Sequence, residues 1–555
     1  MVKASNRYSK NRFYYIPLIV FSLLIAASCS EKTVYEEHVD NKSVISANIP
    51  MGYYPKETML RLVHSREGGH IYYTTNGQDP DTTSKVFNAA LPLADFASDN
   101  RFPLQLLAEN SEVRSMVFEG NYALNYLPNA VSVKAAVFDS LGNRLSDFHI
   151  FDFLLANHEN LPVCMINISP QALLDRDSGL FVAGAHYDAD DPLWTGNYYQ
   201  RGKDWERKAH ITYFTSTDTV LFQQNIGFRA HGGNSRRFDQ KGMRIIARKG
   251  LDEKRIKEQL FTHGSDIKRF TLKPFKASWS GYGFENLLGY RLARHLDVDC
   301  LEIYPVVVYI NGVYWGIYLL EERMDKHYFK RLSGNEDVRF DWARSDRILK
   351  SADSLEKSKD FDHFKSTLQE INDENYAELE KLIDINSYID YQILEQFIGN
   401  FDWPANNNKR WREADGKWRW IYFDGDAAFG NPYFNTLHHA TGVYNERFYS
   451  ADENTTVLFR KLCAYPPFYD RFEKRLNELL ETTLSSEFVQ QEMDSILVSE
   501  KEITRQIHRF AYPESIEDWH KIVNEIEHFI VVRPEAMRGF YAEIEATLSG
   551  LQDQQ

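Results

Sequence analysis

The period of the apolar positions changes along the chain. From about Val44 to Leu155, short apolar runs are separated by turn residues. His70-Ile71-Tyr72-Tyr73-Thr74-Thr75 is β-branched and aromatic, and Asn76-Gly77 follows as a hairpin signal. Val131 to Val137 alternates and is turned by Leu141-Gly142-Asn143. This spacing predicts a small accessory β-sandwich over 44–155. From Leu161 the pattern differs. Asn225–Ala230 and Gly242–Arg248 read as strands around a glycine loop, and Arg269–Pro274 reads as a third. Phe284–Leu296 has apolar positions at 284, 287, 288, 292 and 296, a helical stripe. Glu302–Ile310 and Val313–Leu320 read as strands joined through Asn311-Gly312.

The later chain is mainly helical in period, over 360–400 and 468–548. Ile385, Tyr388, Ile389, Ile393, Phe397 and Ile398 form a core stripe that Gly399 ends. Lys409–Arg412 and Lys417–Phe423 then read as a hairpin turned by Ala414-Asp415-Gly416. An early β-rich part and a late helical part predict an α+β fold with two lobes of one unit over 161–546, divided near 322/323.

The first residues read as an export signal. Lys3, Arg7, Lys10 and Arg12 precede an uncharged, largely apolar run from Phe13 to Ser28. It ends Ile25-Ala26-Ala27-Ser28-Cys29, which resembles a bacterial lipobox with Ala26 where Leu is usual. The expectation is a lipoprotein signal over 1–28, acylation at Cys29, and a polar tether over 29–43 in the bacterial cell envelope. An ordinary signal peptide with an incidental Cys is the alternative. No other stretch is long and apolar enough to span a bilayer.

Composition narrows the function classes. Hydrophobic residues make up 43% and charged residues 26% of the 555, which is ordinary for globular chains and excludes disorder. The net charge of −15 argues against an electrostatic nucleic-acid binder. Four cysteines exclude a disulfide scaffold, and Cys164, Cys300 and Cys463 lack metal-ligand spacing.

Two stretches carry candidate chemistry. His231-Gly232-Gly233-Asn234-Ser235-Arg236-Arg237, with Lys241, is a strand–loop–strand element that brings backbone N–H groups and positive charge to phosphates. A plain hairpin with Gly for turn geometry is the other reading. Asn400-Phe401-Asp402-Trp403-Pro404-Ala405-Asn406-Asn407-Asn408 precedes the second hairpin, and Asp424-Gly425-Asp426 ends it. Two Asp at i and i+2 on a strand end face one side. Oxygen-only ligands suit Mg²⁺ or Mn²⁺. Kinase catalytic loops place an Asp five residues before a metal-binding Asn, then a hairpin, then a metal-binding Asp. Asp402, Asn407 and Asp424 repeat that order.

Together these stretches resemble the CotH family, the spore-coat-type atypical secreted protein kinases. The matching residues include Trp205-Glu206-Arg207, His231 to Arg236, Lys241, Tyr309 to Gly316, Glu322, Asn400 to Trp403, Asn407-Asn408 and Asp424 to Gly430. Ile71 to Pro80 resembles the chitobiase C-terminal-like sandwich module. The kinase resemblance implies a two-lobed protein-kinase-like fold that uses ATP with Mg²⁺ or Mn²⁺. It implies Asp402 at the transferred phosphoryl group, and Asn407, Asp424 and Asp426 at the metals. Gly232, Gly233, Asn234, Ser235, Arg236, Lys241, Lys273 and Glu322 are the expected nucleotide contacts, with Glu285 or Glu322 as the partner of Lys273. Family members usually carry an Asp shortly after the Lys-bearing strand, and Lys276 to Gly283 has none.

The first functional reading is therefore an envelope kinase acting on an envelope or extracellular protein hydroxyl. The second is a non-catalytic surface protein that grips glycan or protein through exposed aromatics. A glycosidase would need two carboxyls about 5–9 Å apart across a sugar-sized cleft. Asp424 and Asp426 are too close in sequence for that.

Overall fold

The computed structural model describes residues 44–97, 130–262, 264–275, 283–344, 347–350, 371–442, 453–510 and 512–544. The expected signal, Cys29, the tether and the 276–282 segment lie outside these residues. The chain is a mixed α/β protein with a sheet-rich N-terminal region.

In that region a five-stranded sheet runs in the order Gly52–Tyr53, His149–Leu154, Ala130–Phe138, His70–Thr74, Lys85–Val86. Alternation on the long Ala130–Phe138 strand sends Val131, Val133, Ala135 and Val137 into one core with Ile71, Tyr73 and Phe153. Asn76-Gly77 does not make the expected tight hairpin. His70–Thr74 pairs with Lys85–Val86 across a longer connection, and the Asn76-Gly77 turn leans on the next domain instead.

That next domain is a closed seven-stranded barrel. Its strands are β1 (Val163–Ile168), β2 (Arg207–Phe214), β3 (Val220–His231), β4 (Gly242–Ala247), β5 (Arg269–Pro274), β6 (Ile303–Ile310) and β7 (Val313–Glu322). The order around the barrel is β1-β2-β3-β4-β5-β7-β6. Parallel pairing of β1 with β6 closes it and removes the sheet edges. Phe228, Met243, Ile245, Phe270, Leu272, Tyr318 and Leu320 fill the interior. Asn311-Gly312 makes the β6–β7 turn with both residues at positive φ, as its sequence predicts.

The sandwich is not a free-standing bead. Ala130 and Leu154 share a core with Met165, Phe214, Tyr309 and Tyr314 of the barrel. Asn311 donates to the carbonyl of Asn76 at 3.0 Å, and Thr212 donates to Asp152 at 2.6 Å.

The remaining chain packs helices around a second five-stranded sheet, ordered Asp299–Cys300, Arg419–Tyr422, Lys409–Glu413, Phe340–Arg344, Arg347–Lys350. Helix α1 (Phe284–Ala293) and helix α2 (Ile385–Phe397) are both almost wholly buried. Asp384 caps α2 by accepting from the Ser387 amide, and Gly399 follows at positive φ. Helix α3 (Ile516–Ala542) runs past the end of α2. Its fully buried Arg533 donates to the carbonyls of Phe397, Pro432 and Phe434, which ties α2 to the loop after Asp426. Ile317 and Leu319 on the outer face of β7 join the same core as α1 and α2. This is what holds the barrel wall against the helical part.

Candidate functional site

The site forms where β5 meets the turn after the Arg419–Tyr422 strand. On β5, Phe270 and Leu272 point into the barrel, so alternation turns Lys273 outward. Its ammonium donates to Asp424 and lies 3.6 Å from Asp426. Lys273 and Asp426 are largely covered, whereas 46% of the Asp424 side chain is exposed.

The Asp-Gly-Asp turn is held from below by α1. The Gly425 amide donates to the Asn286 side chain at 3.0 Å, and the Asp424 amide donates to the Tyr290 hydroxyl at 3.4 Å. Asp424 sits at φ 65°, a region Asp enters more readily than most residues. A Cβ on Gly425 would meet the Tyr422 hydroxyl at 1.9 Å, so only glycine fits there. The expected strand-end placement of the two Asp is therefore replaced by a turn, because the strand stops at Tyr422. The turn still delivers both carboxylates to Lys273.

The Asn400–Asn408 loop docks on this turn through its backbone. Phe401 donates to the Ala427 carbonyl at 3.1 Å, and Phe429 donates to Ile398 at 2.7 Å. The Asn407 side-chain amide donates to the Asp424 carbonyl at 2.7 Å, which leaves its oxygen as an acceptor. Trp403 is buried and donates to the Tyr391 hydroxyl at 2.9 Å, anchoring the loop to α2.

Electrostatics join these groups into one cluster. Burial raises the Asp402 pKa, and the charge of Asp424 raises it further. Burial pushes Asp426 up to about 6; Lys273 opposes this, while Asp424 and Asp402 add to it. Burial alone would raise Asp424, but Lys273, then Lys409 and Arg344, bring it below the usual carboxylate range. Burial disfavours the charged form of Lys273, yet Asp424, Asp426 and Glu321 hold its pKa above the ordinary value. Asp402 thus senses Asp424 and acts on Asp426, and both Asp424 and Asp426 sense Lys273.

Among the described residues, no group of three or more His, Cys, Asp and Glu side chains is arranged to hold a metal ion. The donor chemistry nevertheless fits a hard divalent cation. Asp424, Asp426 and Asn407 offer oxygens only, and the Lys273 ammonium stands against both carboxylates as their counter-charge.

The other expected nucleotide contacts are placed differently. Asn234–Arg237 forms a 3₁₀ turn between β3 and β4, following Gly232 at φ 125° and Gly233, with Ser235 as its second residue. Arg236 donates to the carbonyls of Gly232, Tyr198 and Gln200, and so pins this loop to the segment above it. Lys241 is buried, donates to the Phe238 carbonyl at 2.9 Å and lies 4.5 Å from the Tyr198 ring centre. Burial pulls its pKa down to about 8. Lys241 therefore props the loop from inside.

The expected Lys273–Glu322 pair is not formed. Glu322 is in phase with Leu320 and pairs with Arg331 in a buried contact. Glu321 is in phase with Leu319, which lies opposite Lys273, and is the glutamate whose charge Lys273 feels. Glu285 lines an open cleft of about 680 Å³ beside Asp426 and α3. Sequence reasoning also missed Lys409, whose ammonium lies 3.4 Å from the Phe423 ring centre. Burial lowers it to about 8 against the opposing pull of Asp424. Trp403, Trp418 and Trp420 are all buried, so they form no exposed aromatic surface.

Residues 49–117 match the chitobiase/beta-hexosaminidase C-terminal domain model. No curated protein matches the chain significantly. Residues 228–537, more than half of the chain, match the model of the CotH kinase protein family and span every group of the Lys273–Asp402–Asp424–Asp426 cluster. The chain therefore belongs to the CotH kinase protein family.

Proposed function

We propose that the protein is a metal-dependent phosphotransferase that moves a phosphoryl group from ATP to a protein hydroxyl. The observation that carries this reading is the convergence of Lys273, Asp424 and Asp426 with Asp402 beside them. In this reading the barrel corresponds to a kinase N-lobe and the helical part to the C-lobe. Lys273 exchanges its carboxylates for the donor phosphates. Asp402, with its pKa raised, accepts or orients the acceptor hydroxyl proton. Asp424, Asp426 and Asn407 would hold Mg²⁺ or Mn²⁺. When bound, such a cation neutralises phosphate charge during transfer. Asn286 and Tyr290 keep the Asp-Gly-Asp turn in place.

Calorimetry of the full chain with ATP, with and without Mg²⁺ or Mn²⁺, tests the proposal. Metal-dependent binding is expected, and its absence overturns the reading. Acylation of Cys29 would tether the protein to the bacterial envelope and present it to envelope or extracellular acceptor proteins. Mass spectrometry of the mature N-terminus checks this, and an unmodified start elsewhere removes the anchor.

A further inference from the structure

Helix α2 carries two buried carboxyl groups, and a cation matches only one of them. Asp390 pairs with Arg475 at 2.7 Å. Glu395 is wholly buried, at 0% exposure, and no lysine, arginine or histidine pairs with it among the described residues. The groups that act on it are Asn400 and Tyr391. An unpaired carboxylate in such a place costs far more than a neutral acid. Burial drives the Glu395 pKa well above the usual carboxylate range, against the hydrogen bonds of those two neighbours.

The surrounding atoms also call for a proton there. Glu395 Oε1, Asn400 Oδ1 and the Tyr422 hydroxyl are buried and have no hydrogen-bond partner among the described residues. Tyr422 feels the charge of Glu395 more than that of Asp424 or Asp426. A carboxylate brings only acceptors to these oxygens, whereas a carboxylic acid brings a donor.

Glu395 reaches the stretch that carries Asp402 from below. Asn400 donates its side-chain amide to Glu395 Oε2 at 2.8 Å and its backbone amide to the Glu395 carbonyl at 3.3 Å. The Asn400 carbonyl accepts from the Trp403 amide at 3.3 Å. Tyr391 lies one turn before Glu395 on the same face of α2. Its hydroxyl accepts from Trp403 Nε1 at 2.9 Å and stands within hydrogen-bonding reach of Glu395. Glu395 and Tyr391 thus hold Asn400 and Trp403, with Asp402 between them.

We propose that Glu395, as an uncharged carboxylic acid, is the positioning residue of the Asp402 loop, fixing Asp402 through Asn400 and, with Tyr391, through Trp403. It acts from the core and touches no ligand. Its kinetic consequence rests on the phosphotransfer reading.

Infrared, exchange and kinetic measurements on the full chain test this. The infrared difference between the parent and Glu395→Gln should show the loss of one protonated-carboxyl C=O stretch. Loss of a carboxylate band instead overturns the uncharged acid. Glu395→Gln keeps an acceptor for Asn400 and a donor for the unpartnered oxygens, so its transfer rate and hydrogen exchange should match the parent. Glu395→Leu fills the space with neither. It should keep Mn²⁺-dependent ATP affinity within a few-fold of the parent and speed exchange at the Trp403 amide. Its kcat should fall by about 10²-fold, the cost of misplacing a reacting group by about 1 Å. If Glu395→Leu does not fold, Asn400→Ala breaks the same link from the loop side, with the same expected losses. A folded variant with parental exchange or parental kcat overturns the proposal, as does a Glu395→Gln protein as impaired as Glu395→Leu. A parent that transfers no phosphoryl group overturns the function proposed above and leaves the infrared and exchange results to decide this one.

Discussion

Lys273 and Asp424 lie 151 positions apart in the chain and are joined by a hydrogen-bonded ion pair. The contact links the barrel wall to the turn that follows the second sheet. It also brings a cation to a spot where three carboxylates and Glu321 would otherwise repel one another.

Lys273 and Glu322 should therefore separate by phenotype. Lys273→Met should cost only about 1.5–3 kcal/mol, the range for a charged hydrogen bond, because Asp424 keeps access to water. It should remove nucleotide binding. Glu322→Ala leaves Arg331 without its partner in a buried setting and should cost about 3–5 kcal/mol. Below its melting transition it should bind nucleotide as the parent does. Chemical denaturation with parallel calorimetry checks both, and selective loss of binding in the Glu322 variant would sink the assignment.

Asp152 makes the sandwich–barrel contact pH-sensitive. It is fully buried, accepts from Thr212, and has one oxygen without a partner among the described residues. Burial raises its pKa to about 6, against hydrogen bonds from Ser132 and Thr212. A folded pKa above the unfolded one means the neutral form is preferred in the fold. The penalty is absent below about pH 4, grows between pH 4 and 6, and is full above that. Two pKa units correspond to about 3 kcal/mol. Asp152→Asn should stabilise the protein by up to that amount at pH 7.5, with the advantage vanishing towards pH 4. Denaturant melts across this range should show the two curves converging on acidification.

Gly77 brings the sandwich backbone close against the barrel. It sits at φ 84°, and a Cβ there would lie 2.2 Å from the Ile168 carbonyl oxygen and 2.4 Å from Asn311 Oδ1. Gly77→Ala should cost at least about 1–2 kcal/mol from the left-handed backbone alone. It should also speed hydrogen exchange at the Ile168 amide, which donates to Asn311. Unchanged exchange would show that the contact is dispensable.

The pattern of what was legible follows from sequence distance. The Asp402-to-Asn407 step and the Asp424-Gly425-Asp426 turn are local, so their spacing could be read directly. The Glu321–Lys273 relationship could not, because the β5–β7 register is set across a helix and two other strands. A one-residue difference in that register exchanges Glu321 for Glu322. Barrel closure was hidden for the same reason, since β2 to β5, helix α1 and several shorter elements separate β1 from its partner β6 in the chain. Asn76-Gly77 carries the signature of a tight turn, and nothing in the residues themselves tells a hairpin from a docking knuckle.

Asp402 and Asp424 should divide binding from transfer. Asp424 touches Lys273, and its backbone carbonyl takes the Asn407 amide, so it stands at the centre of the charge arrangement. Asp424→Ala removes one hard oxygen donor and the partner of Lys273 together. Metal-dependent ATP affinity should fall by at least about tenfold, as loss of a charged contact implies. Asp402 contributes through its raised pKa and its nearness to Asp424, without a hydrogen bond to Lys273. Asp402→Ala relieves repulsion on Asp424 and Asp426 and, under the proposed function, removes the group that would handle the acceptor proton. Its ATP affinity should stay within a few-fold of the parent, while transfer to a protein hydroxyl falls by about 10²–10⁴-fold, the usual contribution of a general base. Binding isotherms and phosphoryl-transfer rates measured on the same preparations separate the two effects. Equal losses of affinity in both variants would place Asp402 among the binding groups and take the base role from it.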